Sequence, residues 1–290
     1  MRAPPLPSGG WRPIVGQAVR RDRRRGRVVN PAFGKAGSMI QVFASGIAAL
    51  DHYLDTGFAT VPGMSSRFAA TICGHVLRRQ TELGIEGGMA EIGTFEGRFF
   101  IAMGLALAQG EHAYGFDLFS WPDTGVIDRF LGHAERHGLL RDRFTPRPFD
   151  TSKLSATDFA GLTGNRPLRF IHIDGEHSPE ALSHDLMLAQ ANLHPQGLIC
   201  LDDMLHPGYP FLVVAVHDHL LRHQDMRLMC VIDREDIVAA PKFLLCRTDA
   251  VPLYEADLMN SFAAKHFVLG GDAMGHHCVV LTPEPRLAEV

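Results

Sequence analysis

The chain has 290 residues, 46% of them hydrophobic and 21% charged, which suits a globular protein with one large core. No apolar run reaches the roughly 18 residues that a spanning helix needs, so a transmembrane role is not expected. The net charge of −4 hides an asymmetry, because residues 1–38 carry about +8 and the remainder about −12.

A run such as Arg20-Arg21-Asp22-Arg23-Arg24-Arg25 repels itself, so 1–38 reads as a disordered arm outside the fold. Three readings of it stay open: a nucleic-acid or membrane-surface tail, an organelle presequence, or sequence upstream of a start at Met39. The five cysteines are widely spaced, form no C-x-x-C pair and read as reduced thiols of a cytoplasmic protein.

From 39 to 84 apolar residues recur with helical spacing, at Ile47, Leu50 and Leu54 and then at Phe68, Ile72, Val76 and Leu77. This predicts a helical cap. Gly84, Gly87 and Gly88 end it, and strand-like and helix-like stretches alternate from Met89, the pattern of a parallel sheet with helices on both faces. The predicted strands are 89–93, 113–117, 144–149, 169–174 and 198–202. Helices fit over 97–109, 124–138 and 178–192, the last opened by Ser178 as N-cap and Pro179 as first helical residue. Beyond Asp203, a helix at 210–224 and strands at 227–232 and 242–247 close a core spanning 85–250. A C-terminal extension, 251–290, holds a helix at 253–265 and a strand at 277–282.

Ligands of open α/β sheets bind outside the carboxyl ends of the strands. Those ends are acidic here: Glu91 with Gly93, then Asp117, Asp150, Asp174, and Asp202 with Asp203. The first turn, Glu91-Ile92-Gly93-Thr94-Phe95-Glu96-Gly97-Arg98, brings backbone close to a ligand at Gly93. Phe95 and Arg98 break the G-x-G-x-x-G spacing of a dinucleotide fingerprint. Glu91 instead suits a ligand with a positive amino group, and Asp117 is placed either to accept from two ribose hydroxyls or to cap a helix. Asp174, Asp202 and Asp203 sit at the ends of neighbouring strands, and such a cluster is costly without a cation; oxygen ligands favour Mg²⁺ or Mn²⁺. His177 fits a fourth ligand, a base or a structural residue.

The motifs Glu91-Ile-Gly-Thr-Phe-Glu-Gly97, Tyr114-Gly-Phe-Asp117, Phe170-Ile-His-Ile-Asp-Gly-Glu-His177 and Leu198-Ile-Cys-Leu-Asp-Asp203 resemble class I S-adenosylmethionine-dependent methyltransferases. The resemblance covers about 85–205 and is to the metal-dependent kind that includes macrocin- and novobiocin-type sugar O-methyltransferases. It implies a seven-stranded, mostly parallel Rossmann-like sheet with an antiparallel strand in its last hairpin. It also implies S-adenosylmethionine as donor, with Glu91, Gly93 and Thr94 at its methionine end and Asp117 and Asp150 near ribose and adenine. Asp174, Asp202 and Asp203 would hold Mg²⁺ (or Mn²⁺), and Glu176 would serve as general base, with His177 as the other candidate.

The expected activity is O-methylation of a hydroxyl on a small molecule such as a sugar or natural product, by a chain that could form a homo-oligomer. Two alternatives stand beside it: a cephalosporin-hydroxylase-like or NAD-type oxidoreductase on the same fold, and a non-catalytic module whose arm binds nucleic acid. A nucleic-acid partner is the less expected of these.

Overall fold

Strand-forming runs after Met89 build one mixed sheet, and the segments between them cover both of its faces. The computed structural model describes residues 43–263, 266–268 and 274–283. The arm at 1–38, and with it every reading of that arm, lies outside the described residues. No helix among the described residues is long and apolar enough to cross a membrane.

In chain order, α1 (Ala48–Thr56) and α2 (Arg67–Glu82) precede β1 (Met89–Ile92), α3 (Arg98–Ala106), β2 (Ala113–Asp117), α4 (Val126–Arg136) and β3 (Phe144–Pro148). Then follow α5 (Ala156–Leu162), β4 (Leu168–Ile173), α6 (Pro179–Asn192), β5 (Leu193–Leu201), α7 (Leu212–Arg222), β6 (Met226–Ile232) and β7 (Lys242–Arg247). The last elements are α8 (Val251–Ser261), β8 (His266–Val268) and β9 (Val279–Leu281).

The strand order is β3-β2-β1-β4-β5-β7-β6-β9-β8. The first five are mutually parallel, and β7 runs antiparallel between β5 and β6. The expected seven-stranded Rossmann-like sheet is therefore present, behind a cap of helices. It is also longer than expected: β9 pairs in parallel with β6 and β8 closes that edge, so part of the C-terminal segment belongs to the sheet.

The sheet separates two cores. Leu50, Phe68, Ile72, Phe99 and Phe130 pack on one face, and Phe159, Leu182, Leu186 and Val216 on the other. The cap is tied to α3 by the Tyr53 hydroxyl, which donates to the Arg98 carbonyl at 3.0 Å. Helix α5 was not expected from periodicity, because only Phe159 of its seven residues is buried. It is fixed by a capping box instead: Ser155 Oγ accepts from the Asp158 amide while the Asp158 carboxylate accepts from the Ser155 amide.

Candidate active site

Strand order reverses beside β1, with β2 and β3 to one side and β4 and β5 to the other. Such a switch point leaves a crevice at the strand ends. Here it is a cleft of about 500 Å³ whose walls include Gly93, Asp117, Trp121, Asp150, Glu176 and Asp185. Phe149 and Asp174 also line it. Trp121 and Phe149 are exposed, and the Trp121 ring lies 5.4 Å from that of Phe95.

The turn after β1 needs its glycine. Gly93 has φ +87°, and a Cβ there would lie 1.8 Å from the Asp174 carbonyl oxygen, so only glycine lets β1 and β4 end side by side. Asp117 braces the same rim. Its Oδ2 accepts from the Phe95 amide at 2.8 Å and its Oδ1 from the Phe119 amide at 2.7 Å. Both phenylalanines have φ of 49°, a conformation that a bulky residue keeps only when its surroundings impose it. Each Asp117 oxygen retains a second lone pair for a ligand. Thr94 is buried beneath, with its hydroxyl 3.5 Å from the Phe116 carbonyl. Asp150 caps the short turn Thr151–Lys153, accepting from the Ser152 amide and hydroxyl, and these contacts together with Lys153 lower its pKa.

Glu91 faces the other side of the sheet from Ile92. It is buried and does not line the cleft; its Oε1 lies 2.7 Å from His172 Nδ1, and its Oε2 has no hydrogen-bond partner. Burial, reinforced by Asp174, raises its pKa well above the ordinary carboxylate range. His172 Nε2 is 3.1 Å from Lys242 Nζ. An ammonium can only donate, so Nε2 is the acceptor and Nδ1 carries the proton given to Glu91. Burial, followed by the Lys242 charge, keeps this imidazole neutral by lowering its pKa well below the usual value.

Lys242 continues the network. Its side chain is fully buried, its ammonium pairs directly with Asp202 Oδ2, and it lies 3.3 Å from Ser65 Oγ and 4.7 Å from the centre of the Phe99 ring. Burial alone would lower its pKa, but Asp202 reverses this and holds the ammonium above its ordinary range. Asp202 is engaged at both oxygens: Oδ2 also accepts from Ser65 Oγ at 3.2 Å, and Oδ1 accepts from the Asp203 amide at 2.8 Å.

Nearer the surface, His177 Nε2 lies 2.5 Å from Asp203 Oδ2 and 3.9 Å from Asp174 Oδ1, and its ring stacks on Tyr209 at 4.2 Å. Asp174 and Asp203 raise the His177 pKa to about 10, which favours its protonated form. Burial and the Asp202 charge raise Asp174 to about 7. Asp174 is shared between two groups of side chains close enough to hold an ion. Asp174 groups with His172 and Asp202 on one side and with His177 and Asp203 on the other.

A model of a methyltransferase domain matches residues 90–204, which run from β1 through β5 to Asp202 and Asp203 and include every strand end that lines the cleft. Residues 90–204 are a methyltransferase domain. No curated protein matches the chain. Among solved structures, the O-methyltransferase NovP superposes with a TM-score of 0.51 at 14% identity, over 63% of this chain and 81% of that one. A candidate O-methyltransferase from Klebsiella pneumoniae superposes with a TM-score of 0.50 at 18% identity, over 69% and 89%. At such identities the likeness is one of fold.

The methyltransferase domain does not contain all of the site. Ser65 comes from the loop before α2 and Lys242 opens β7, so both reach Asp202 from outside the matched segment. Neither carries a local signal, since a lysine heading an apolar strand looks like a solvated strand end. Asp185 did carry one. It occupies an apolar position of the stripe formed by Leu182, Leu186 and Ala189 on α6. It is buried at the cleft wall, its Oδ1 has no partner, and burial raises its pKa to about 6. Trp121 lines the cleft, whereas Phe130 is wholly buried in the core.

Proposed function

We propose that the chain is an S-adenosylmethionine-dependent O-methyltransferase acting on a hydroxyl of a small molecule such as a sugar or natural product. One observation carries this reading: the cleft lies at the switch point of the sheet and is walled by the strand ends of the methyltransferase domain. A cleft of about 500 Å³ falls within the range of cofactor sites. Its polar groups suit an adenosine with a charged amino acid end. Asp117 has lone pairs for ribose hydroxyls, and Asp150 stands beside the exposed rings of Trp121 and Phe149; Glu91, behind the cleft wall, keeps Oε2 without a partner as an acceptor for the donor's amino end to approach. Gly93 and Thr94 shape the turn at which the methionine end would lie.

When bound, the donor supplies an electrophilic sulfonium methyl group. The chain's own task is to hold the acceptor hydroxyl in line with it and to take the hydroxyl proton. Glu176, exposed at the cleft wall, is the proton acceptor in this reading. His177 directs its Nε2 proton to Asp203, with Asp174 3.9 Å away, and acts as a fixed positive charge beside the developing oxyanion. The methyl carbon then forms its bond to oxygen as its bond to sulfur breaks.

A divalent ion held by Asp174, Asp202 and Asp203 was the expectation from charge. The side chains present do not fit it at Asp202, whose Oδ2 is taken by the Lys242 ammonium and Ser65 Oγ while Oδ1 accepts the Asp203 amide. No step is routed through a metal.

Calorimetry with S-adenosylmethionine and S-adenosylhomocysteine, followed by a transfer screen over small hydroxyl acceptors, tests the proposal. Micromolar binding of both and transfer to at least one acceptor are expected. Absence of binding by either compound would sink the reading.

A further inference from the structure

The carboxylates at the ends of β4 and β5 need compensating positive charge, because several buried like charges within a few ångströms are otherwise strongly disfavoured. The usual remedy for such a group is a divalent cation. This chain brings a cation of its own. Lys242 enters from β7, the antiparallel neighbour of β5, and its register places it beside the carboxyl end of that strand. Its ammonium is enclosed by Asp202 Oδ2, His172 Nε2, Ser65 Oγ and the face of the Phe99 ring. Three of these are polar partners and the fourth is an aromatic face, so each direction from the nitrogen is answered.

We propose that Lys242 is the resident cation of this site, seated on the carboxylate and imidazole through which a divalent ion would bind, and that the protein binds its ligands without such an ion.

Three features of the geometry support this. The group His172, Asp174 and Asp202 has donor atoms close enough to hold a metal, yet the lone pairs of His172 Nε2 and Asp202 Oδ2 point at the lysine nitrogen. A divalent ion bound through them would sit against an ammonium, a like-charge contact in a buried setting. The seat is also locked from three directions, since Ser65 belongs to the cap, His172 to β4 and Lys242 to β7. Withdrawing the lysine would leave Asp202 charged and buried with only neutral donors. Lys242 is therefore a positioning residue: it fixes Asp202, and through the Asp203 amide on Asp202 Oδ1 it fixes the loop carrying Asp203 at the cleft rim.

The test reads metal binding directly and does not depend on the methyl donor, so its outcome is separable from the fate of the methyltransferase reading. Mn²⁺ is titrated into chelator-treated protein and free Mn²⁺ is followed by electron paramagnetic resonance. The parent protein should bind no stoichiometric Mn²⁺ at millimolar concentration. Lys242→Gln should gain one site, tighter than anything in the parent by at least about tenfold, or 1.4 kcal/mol, because Asp202 and His172 are released. The double variant Lys242→Gln/Asp202→Asn removes the buried charges together, which is tolerated better than breaking the pair; it should fold and lose the gained site. If Lys242→Gln does not fold, the parent decides alone. The proposal is overturned if the parent binds one Mn²⁺ that Asp202→Asn or Asp203→Asn removes, or if a folded Lys242→Gln gains no site.

Discussion

The Phe95 amide donates to Asp117 Oδ2 at 2.8 Å, joining the turn after β1 to the end of β2 across the mouth of the cleft. With the bond from the Phe119 amide to Oδ1, this makes Asp117 a brace for two left-handed phenylalanines as well as a polar group facing the cleft. Asp117→Ala leaves two backbone amides without their acceptor. We expect a loss of about 1–3 kcal/mol in denaturant stability and a drop of about tenfold or more in S-adenosylhomocysteine affinity by calorimetry. Full affinity in the alanine variant would show that the carboxylate is a brace alone.

Gly93 and Gly110 separate close approach from backbone conformation. Both have positive φ, +87° and +88°, but a Cβ at Gly93 would collide with the Asp174 carbonyl whereas nothing lies within 4 Å of one at Gly110. Gly110→Ala should cost only the left-handed strain, about 1–2 kcal/mol. Gly93→Ala should cost more than about 3 kcal/mol, or fail to fold, because the carbonyl it meets is backbone. Urea unfolding of the two variants makes the comparison, and equal losses would contradict it.

Asp185 makes stability depend on pH in a definite direction. Its pKa is raised from 3.8 to about 6 in the fold by burial, so the folded state holds the proton more tightly than the unfolded chain. Stability from this group is fully present below about 3.8 and is lost as pH rises toward 6, by about 2–3 kcal/mol at 1.4 kcal/mol per pH unit. Asp185→Asn should remove that slope. Unfolding midpoints at several pH values should show the variant gaining on the parent between those limits, with the difference constant above them.

His172 should be neutral with its proton on Nδ1, because Nε2 accepts from Lys242. Nitrogen NMR of labelled histidine should find that tautomer and no titration down through its ordinary value of 6.5. A folded pKa below the unfolded one means that stability falls as pH drops under 6.5, since only the unfolded chain then takes up the proton. An imidazolium signal from His172 at neutral pH would refute the donor directions assigned to the network.

Local patterns were enough to read the fold. Strands at 113–117 and 242–247 coincide with β2 and β7, and Ser178-Pro179 starts α6 where its capping chemistry requires. The first strand end was legible too, because Gly93 and Asp117 occupy fixed offsets from apolar runs whose β period is short and local. Helix α5 escaped periodicity because it buries one side chain, although its capping box was visible in the sequence.

What the sequence by itself determined was the order of strands and helices, the acidic character of the strand ends, and the motifs of the methyltransferase domain. Each is encoded by residues a few positions apart. What only the tertiary structure decided was how those acids are compensated. Ser65 and Lys242 are separated by 177 residues, yet they meet at Asp202 through two unrelated crossings of the chain. A sequence records that three aspartates lie at neighbouring strand ends, but the sign of the charge placed among them depends on which strand pairs with β5, and in which register. That pairing brings an ammonium to Asp202, where counting carboxylates along the chain had called for a metal.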